Sequence, residues 1–195
     1  MAKELKRGLL FTIVSMAMIV VYHLAMWGVG QVAFRFQAEG SLIRRTDGTI
    51  VGSRLIAQKF TKPEYFQPRP SAVDYNAAST GGSNYGPSNP DYLKAVRERL
   101  DGVTKQEGVT PGQVPSEMVT ASGGGMDPHI PPAGAALQAK RVAQARGVPL
   151  QRVQALIESH TEGPTLGFLG RARVNVLELN LALDDVLGKV TASGR

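Results

Sequence analysis

The sequence predicts an α+β protein: one N-terminal transmembrane helix followed by a single small soluble domain of mixed helices and strands. Three observations carry this reading. Residues 8–34 contain no formally charged side chain. Beyond them, helix-like and strand-like segments are mixed without a regular βαβ rhythm. No internal repeat, and no low-complexity linker long enough to separate a second domain, interrupts that stretch. A length of 195 residues suits one domain plus an appendage. The composition, 43% hydrophobic and 19% charged, is that of a folded chain rather than a disordered one.

The first element follows from length and polarity. The apolar run from Leu9-Leu10-Phe11 through Val20-Val21 continues into Leu24-Ala25-Met26-Trp27, with His23 and Gln31 its only strongly polar members. About 20 apolar residues at a rise of 1.5 Å each cover roughly the 30 Å of a hydrocarbon core. Tyr22, Trp27 and Phe34 lie towards the far end, where amphipathic rings favour the headgroup layer. A cleaved signal peptide would be shorter, and Trp27-Gly28-Val29-Gly30-Gln31 is a poor small-x-small cleavage site, so a retained anchor is expected. The flanking charges balance, with Lys3, Lys6 and Arg7 before the helix and Arg35, Arg44 and Arg45 after it. Orientation therefore rests on geometry: a seven-residue tail stays inside while a long domain translocates largely regardless of charge. The expected organisation is a basic cytoplasmic tail (1–7), a transmembrane helix (8–34) and an extracytoplasmic soluble domain (35–195), single-pass in the inner membrane and in contact with lipid.

The net charge of +6 is dispersed, and no Lys/Arg stripe with interleaved aromatics marks a nucleic-acid partner. The absence of cysteine excludes disulfides, zinc–thiolate sites and thiol nucleophiles, and suits either redox compartment.

In the soluble part, Arg45-Thr46-Asp47-Gly48-Thr49-Ile50-Val51 predicts a short strand pair around an Asp-Gly turn. Residues 52–60 place Leu55, Ile56 and Phe60 on one face of a short helix, with Ser53 as its cap. Fifteen of the 21 residues from 70 to 90 are Pro, Gly, Ser, Thr, Asn or Asp. That composition fits a linker. Tyr65, Phe66, Tyr75 and Tyr85 nevertheless punctuate this region, charge is scarce, and an ordered loop packed by aromatics is expected. Asn89-Pro90 starts a helix carrying Leu93, Val96 and Leu100. Residues 114–120 predict a strand running into Ala121-Ser122-Gly123-Gly124-Gly125. Pro131-Pro132 opens an Ala-rich helix ended by Gly147, and Pro149 opens the next, with Leu150, Val153, Leu156, Ile157 and His160 along one side. Residues 174–183 alternate Leu177, Leu179, Leu181 and Leu183 with Glu178, Asn180 and Ala182, which predicts a strand.

Three constellations bear on chemistry. Ser122, with Asp127, His129 and His160 downstream, has the residue types of a membrane-anchored serine hydrolase, but Thr120 stands where a nucleophile elbow needs Gly. A polar Gly-rich turn is the favoured reading. Asp127, His129, His160 and Glu162 are candidate metal ligands, although a turn at Asp127-Pro128 and a helix face ending at His160 explain the same residues. Gly81-Gly82 with its hydroxyl neighbours has the backbone freedom of a phosphate cradle, yet no Lys-Ser or Lys-Thr follows as in a Walker loop. The Asp-Lys-Thr-Gly motif of P-type pumps is absent as well.

Taken in order, Gly52-Ser53-Arg54-Leu55-Ile56, Tyr65-Phe66, Arg69-Pro70-Ser71, Tyr75-Asn76, Gly81-Gly82-Ser83-Asn84 and Gly86-Pro87-Ser88-Asn89-Pro90 resemble the small C subunit of the Kdp-type potassium-transporting ATPase. The resemblance continues through Val119-Thr120-Ala121-Ser122-Gly123, Asp127-Pro128-His129-Ile130, Arg141-Val142-Ala143, Ala145-Arg146-Gly147, His160-Thr161-Glu162 and Val174-Asn175-Val176-Leu177. Departures are Ala57 where Gly is usual, Thr80 where Ser is usual, and Arg171-Ala172 where Glu-Pro is common. The resemblance implies a non-catalytic subunit of a high-affinity, ATP-driven potassium uptake pump. Its implied partners are a channel-like potassium-conducting subunit, a separate ATP-hydrolysing P-type subunit and a very small single-span subunit. It also implies support of assembly and a catalytic-chaperone action that raises the ATP affinity of the hydrolysing subunit, with ATP shared rather than a cofactor of this chain's own. In that proposal the Gly-Gly stretch is likened to the signature motif of ABC transporters. With an extracytoplasmic domain such an effect must travel through the helix or the partners; the opposite orientation would let the stretch meet nucleotide directly. Arg69, Asn76, Asn84 and Asn89 are expected to tie backbone groups across the Gly-rich surface. The expected partner-docking set is Arg69, Ser71, Tyr75, Asn76, Gly81, Gly82, Ser83, Asn84 and Asn89, near the potassium entrance of the conducting subunit. Dispersed carboxylates argue against potassium coordination by this chain.

Overall fold

The computed structural model describes residues 1–45 and 47–188. The chain divides into two units, Met1–Ile43 and a second beginning at Arg44.

The first unit is dominated by α1 (Ala2–Ala33), 32 residues with none buried, long and apolar enough to cross a membrane. Two of its polar side chains bond to its own backbone. The Thr12 hydroxyl donates to the Gly8 carbonyl at 2.9 Å, and His23 Nδ1 lies 2.7 Å from the Ile19 carbonyl. Such back-bonding is what an apolar solvent demands of a buried polar group. A single turn, α2 (Arg35–Ala38), follows.

The second unit starts in the strand β1 (Leu42–Arg44), whose last residue it contains, and continues with β2 (Ile50–Ser53). They flank the expected Asp-Gly turn: Gly48 sits at φ +82° and the Arg45 N–H donates to the Thr49 carbonyl at 3.0 Å. Thr46, part of that expected turn, lies outside the described residues, as do 189–195 of the expected soluble domain. Then come α3 (Pro90–Glu107), β3 (His129–Ile130), α4 (Pro132–Arg146), α5 (Leu150–Ser159), β4 (Thr161–Glu162), β5 (Arg173–Asn175) and α6 (Val176–Leu187). β5 is the centre of a small antiparallel sheet of order β3-β5-β4, pairing Ile130 with Val174 on one side and Thr161 with Val174 on the other. Helices α4, α5 and α6 pack with the sheet around Phe66, Ile130, Ala135, Val142, Val153, Val174, Leu179 and Leu183.

Helix ends follow local chemistry where the sequence supplies it. Asn89 caps α3 by accepting the Asp91 and Tyr92 N–H groups at 2.8 and 3.3 Å, with Pro90 at the first position. Gly147 ends α4 in the left-handed conformation at φ +65°.

Three expected elements are corrected. Residues 174–183 form no continuous strand: the strand stops at Asn175, whose side chain accepts the Glu178 N–H at 3.2 Å and caps α6. The alternating leucines hide a second periodicity, Val176, Leu179, Asn180 and Leu183, and that helical face is the buried one. Residues 114–120 are not a strand, because Pro111 and Pro115 instead open two 3₁₀ turns, Pro111–Gln113 and Ser116–Met118. Residues 52–60 are not a helix; Ser53 Oγ accepts the Leu55 N–H at 3.2 Å in a turn, and the chain runs on irregularly with Leu55 exposed.

From there the chain crosses the helices in extended form and is clamped by two buried amides. Asn180 of α6 accepts the Phe66 N–H at 2.8 Å and donates to its carbonyl at 2.9 Å. Gln138 of α4 does the same for Gln67, at 2.8 and 3.0 Å. Each helix thus supplies the hydrogen bonds that a strand neighbour would otherwise give to a buried backbone. Leu183, fully buried beside this clamp's helix face, is expected to be costly to truncate. Leu183→Ala should destabilise the full-length chain by about 3 kcal/mol, read as a lowered urea midpoint by circular dichroism in detergent.

Candidate functional site

The residues expected to dock a partner gather where two Gly-rich loops, 69–84 and 122–127, lie backbone to backbone. Arg69 Nη1 pairs with Asp127 Oδ2 at 3.0 Å, and its main-chain carbonyl accepts the Tyr75 hydroxyl at 2.9 Å. Ser71 Oγ donates to the Gly125 carbonyl at 2.6 Å and accepts the Val73 and Tyr75 N–H groups at 3.2 and 3.0 Å. The Ser122 N–H donates to the Pro70 carbonyl at 3.0 Å, and the Gly81 N–H to the Gly124 carbonyl at 3.2 Å.

These contacts explain the glycines. A Cβ on Gly82 would sit 2.6 Å from the Gly123 carbonyl oxygen. One on Gly125, at φ +72°, would meet Val73 Cγ2 at 2.6 Å and the Gly81 carbonyl at 2.9 Å. Asp74 and Tyr75 both hold positive φ, +50° and +60°, a strained pair kept in place by the Ser71 hydroxyl.

Asn76 accepts the Ala78 N–H at 3.0 Å and Asn89 caps α3, each a local bond rather than a tie across the Gly-rich surface, whereas Arg69 Nη1 pairs with Asp127. Ser83 and Asn84 are exposed, with Asn84 at φ +53°. The predicted set therefore divides. Arg69, Ser71, Tyr75, Asn76, Gly81 and Gly82 hold the loops in shape, Asn89 caps α3, and Ser83 and Asn84, with Tyr85, face outward.

Electrostatics reinforce the hub at Asp127. Burial pushes its carboxyl up, but hydrogen bonds from the side chain and backbone of His129, followed by the charge and hydrogen bond of Arg69, outweigh that and leave it below the usual carboxylate range. A depressed folded value means stability that is present above the ordinary aspartate value of 3.8 and lost as pH falls through the folded value. Asp127→Asn should therefore lower the thermal midpoint at pH 7, and the gap from the parent chain should close as pH drops below 3.8. A gap that stays constant down to pH 2 would exclude this role. Tyr75 is shifted the other way: burial and the neighbouring Asp74 charge push its hydroxyl up, opposed by Arg99.

Neither alternative chemistry is assembled. Ser122 is buried in the loop pair, and among the described residues no histidine hydrogen-bonds to it. His129 Nδ1 faces Asp127 Oδ1 at 3.5 Å, and His160 Nδ1 lies 2.9 Å from the Leu156 carbonyl. Glu162 is held by Arg54 at 2.5 Å and Arg173 at 2.9 Å. Among the described residues, no three His, Asp or Glu side chains converge as metal ligands.

Elsewhere in the domain lie ion pairs that sequence reasoning missed. Arg146 and Asp184 are almost wholly buried and pair at 2.9 Å, with Arg146 stacked 5.0 Å above the Tyr65 ring and Tyr65 donating to Asp184. Arg141 joins Glu107 of α3 to the Pro63 and Tyr65 carbonyls. Arg54 bridges Glu162 and Glu178. Their partners lie 34 or more residues away, so spacing alone carried no signal of them.

Comparison with known proteins agrees with this architecture along nearly the whole chain. The family model described as KdpC, K+-transporting ATPase, c chain, matches residues 5–185. A potassium-transporting ATPase KdpC subunit of Caldanaerobacter subterraneus subsp. tengcongensis is 46% identical over 97% of this chain and 98% of its own length. The subunit of Polaromonas naphthalenivorans is 50% identical over 95% of both chains. That of Geobacter sulfurreducens is 47% identical over 95% of this chain and 99% of its own. With a membrane-length helix, a small α+β domain and that extent of matching, the chain belongs to the KdpC family, the c chain of the potassium-transporting ATPase.

Proposed function

We propose that the chain acts as a non-catalytic accessory subunit of a high-affinity potassium uptake pump, supporting assembly and raising the ATP affinity of the hydrolysing subunit. Its partners in this reading are the channel-like potassium-conducting subunit, the ATP-hydrolysing subunit and the very small single-span subunit. The N-terminus lies in the cytoplasm and the soluble domain outside, with 1–7 as tail, 8–34 as span and 35–195 as domain. The docking region is Arg69, Ser71, Tyr75, Asn76, Gly81, Gly82, Ser83, Asn84 and Asn89, of which Ser83 and Asn84 make the contact and the rest shape it.

One observation carries the reading: Arg69 Nη1, the Ser71 hydroxyl and the Gly81 N–H are spent on fixing the two Gly-rich loops to each other, which supports a preformed surface rather than a reactive centre. The same observation bears on how ATP enters. A phosphate cradle needs free, convergent N–H donors. Gly81 already donates its N–H to Gly124, and no Lys-Ser or Lys-Thr follows Gly81-Gly82, which favours an indirect route. The effect on nucleotide affinity is accordingly assigned to protein contacts that bias the hydrolysing subunit, a coupling of about 1–3 kcal/mol.

Potassium-stimulated ATP hydrolysis, measured against ATP concentration in the complex with and without this chain, tests it. The expected result is a KM for ATP lower by roughly 5- to 150-fold when the chain is present. An unchanged KM in an equally assembled complex would remove the chaperone action.

A further inference from the structure

Among the described residues of the soluble domain, the most exposed large apolar side chains are Leu166 at 78% and Phe168 at 74%, both on the loop between β4 and β5. Leu169 beside them is 50% exposed. The loop is nevertheless a built structure. Thr165 and Leu169 exchange both backbone hydrogen bonds, at 2.8 and 2.9 Å, and the Gly167 N–H donates to the Pro164 carbonyl at 3.0 Å. Gly167 and Gly170 take left-handed φ values, and so does Leu166, at +55°. A bulky side chain at positive φ is disfavoured, and displaying it to water gains nothing in return. Strain and exposed apolar surface at one rigid tip are the marks of a preorganised anchor for another protein.

We propose that this tip docks into an apolar pocket on another subunit of the complex, with Phe168 as the central anchor and Leu166 and Leu169 beside it. The proposal rests on the accessory-subunit reading. The occupant is a protein rather than a lipid surface because a bilayer accepts apolar side chains in any conformation and would not select a strained, hydrogen-bonded turn. The rim adds charge. Arg171 follows the tip with its side chain 89% exposed and reaches Glu117 at 3.4 Å, while Arg173 is held by Glu162. An exposed guanidinium there calls for a carboxylate on the pocket's edge. In this arrangement the apolar tip carries the affinity and the guanidinium beside it the orientation.

The chain has no cysteine, so Thr165→Cys, whose side chain is exposed beside the tip, can carry a single environment-sensitive fluorophore. Emission is read on the full chain alone in vesicles containing spin-labelled lipid, and again in the purified complex. A wet, unquenched probe in the chain alone and a blue shift on assembly support the proposal. Lipid quenching in the chain alone replaces it with membrane contact, and a probe that stays wet in an assembled complex overturns it. Leu166→Gly separates docking from folding, because glycine relieves the positive φ. Its thermal midpoint should equal or exceed the parent's, while co-purification with the partner subunits falls about tenfold; co-purification at the parent's level would sink the idea. Arg171→Glu should weaken co-purification several-fold at low salt, and no change would exclude the acidic rim. Failure of the unaltered chain to co-purify with any subunit would instead reject the accessory-subunit reading itself.

Discussion

Gly82→Ala is expected to cost about 3 kcal/mol and to loosen residues 71–89 more than any other part of the domain. The added methyl would stand 2.6 Å from a backbone carbonyl oxygen, that of Gly123, and no side-chain rotation can relieve it. Overpacking of this kind costs about 1–3 kcal/mol where neighbours are able to move. Here the neighbour is pinned, because the Gly81 N–H and the Ser71 hydroxyl hold Gly124 and Gly125 on the same loop. Hydrogen exchange on the full-length chain should show faster exchange across 71–89, with α4 and α5 unchanged. Gly86→Ala is the control: nothing lies within 4 Å of its Cβ position. If both variants exchange alike, the glycines serve chain flexibility and not the close approach of two loops.

A larger loss is expected at Arg146→Leu, about 4 kcal/mol. The side chains of Arg146 and Asp184 are 1% and 7% exposed, and removing one member of such a pair leaves a desolvated charge, which typically costs about 3–5 kcal/mol. Arg146 also donates to the Glu64 carbonyl at 2.8 Å and the Gly188 carbonyl at 3.0 Å, so the extended segment before Phe66 loses an anchor as well. Asp184→Leu in the same chain should restore part of the loss, since the uncompensated carboxylate is then gone. The double variant is thus expected to be less destabilised than the two single changes added together, by about 2 kcal/mol. Strict additivity in urea unfolding would mean that the two residues do not act as a pair.

What the sequence made legible was whatever local chemistry decides. Residues 8–34 announce a span by polarity alone. Asn89-Pro90, Gly147 and Pro149 mark helix ends because caps and left-handed turns act within a few residues of themselves. α6 was misread because Leu177, Leu179, Leu181 and Leu183 satisfy a period of two while Val176, Leu179, Asn180 and Leu183 satisfy the helical one. The choice was made by the Asn175 cap and by Asn180 gripping Phe66, 114 residues away. Residues 114–120 have the apolar content of a strand, but Pro115 sets a 3₁₀ turn. At the candidate site both Gly runs were visible, whereas their pairing was not: Arg69 finds Asp127 across 58 positions. Leu166 and Phe168 drew no attention because an exposed apolar tip has no periodicity to detect.

In the proposed function the two Gly-rich loops present a preformed surface through which this chain joins its pump. The most direct test is recovery of tagged full-length chain from membranes with Ser83→Arg and Tyr85→Asp, two exposed positions whose side chains make no contact the loops depend on. The folded state is checked by an unchanged thermal midpoint, and the co-purifying subunits are identified by mass spectrometry. The parent chain is expected to bring down the conducting and hydrolysing subunits, and the double variant, equally folded, to lose them. A folded double variant that recovers both subunits at the parent's level would contradict it.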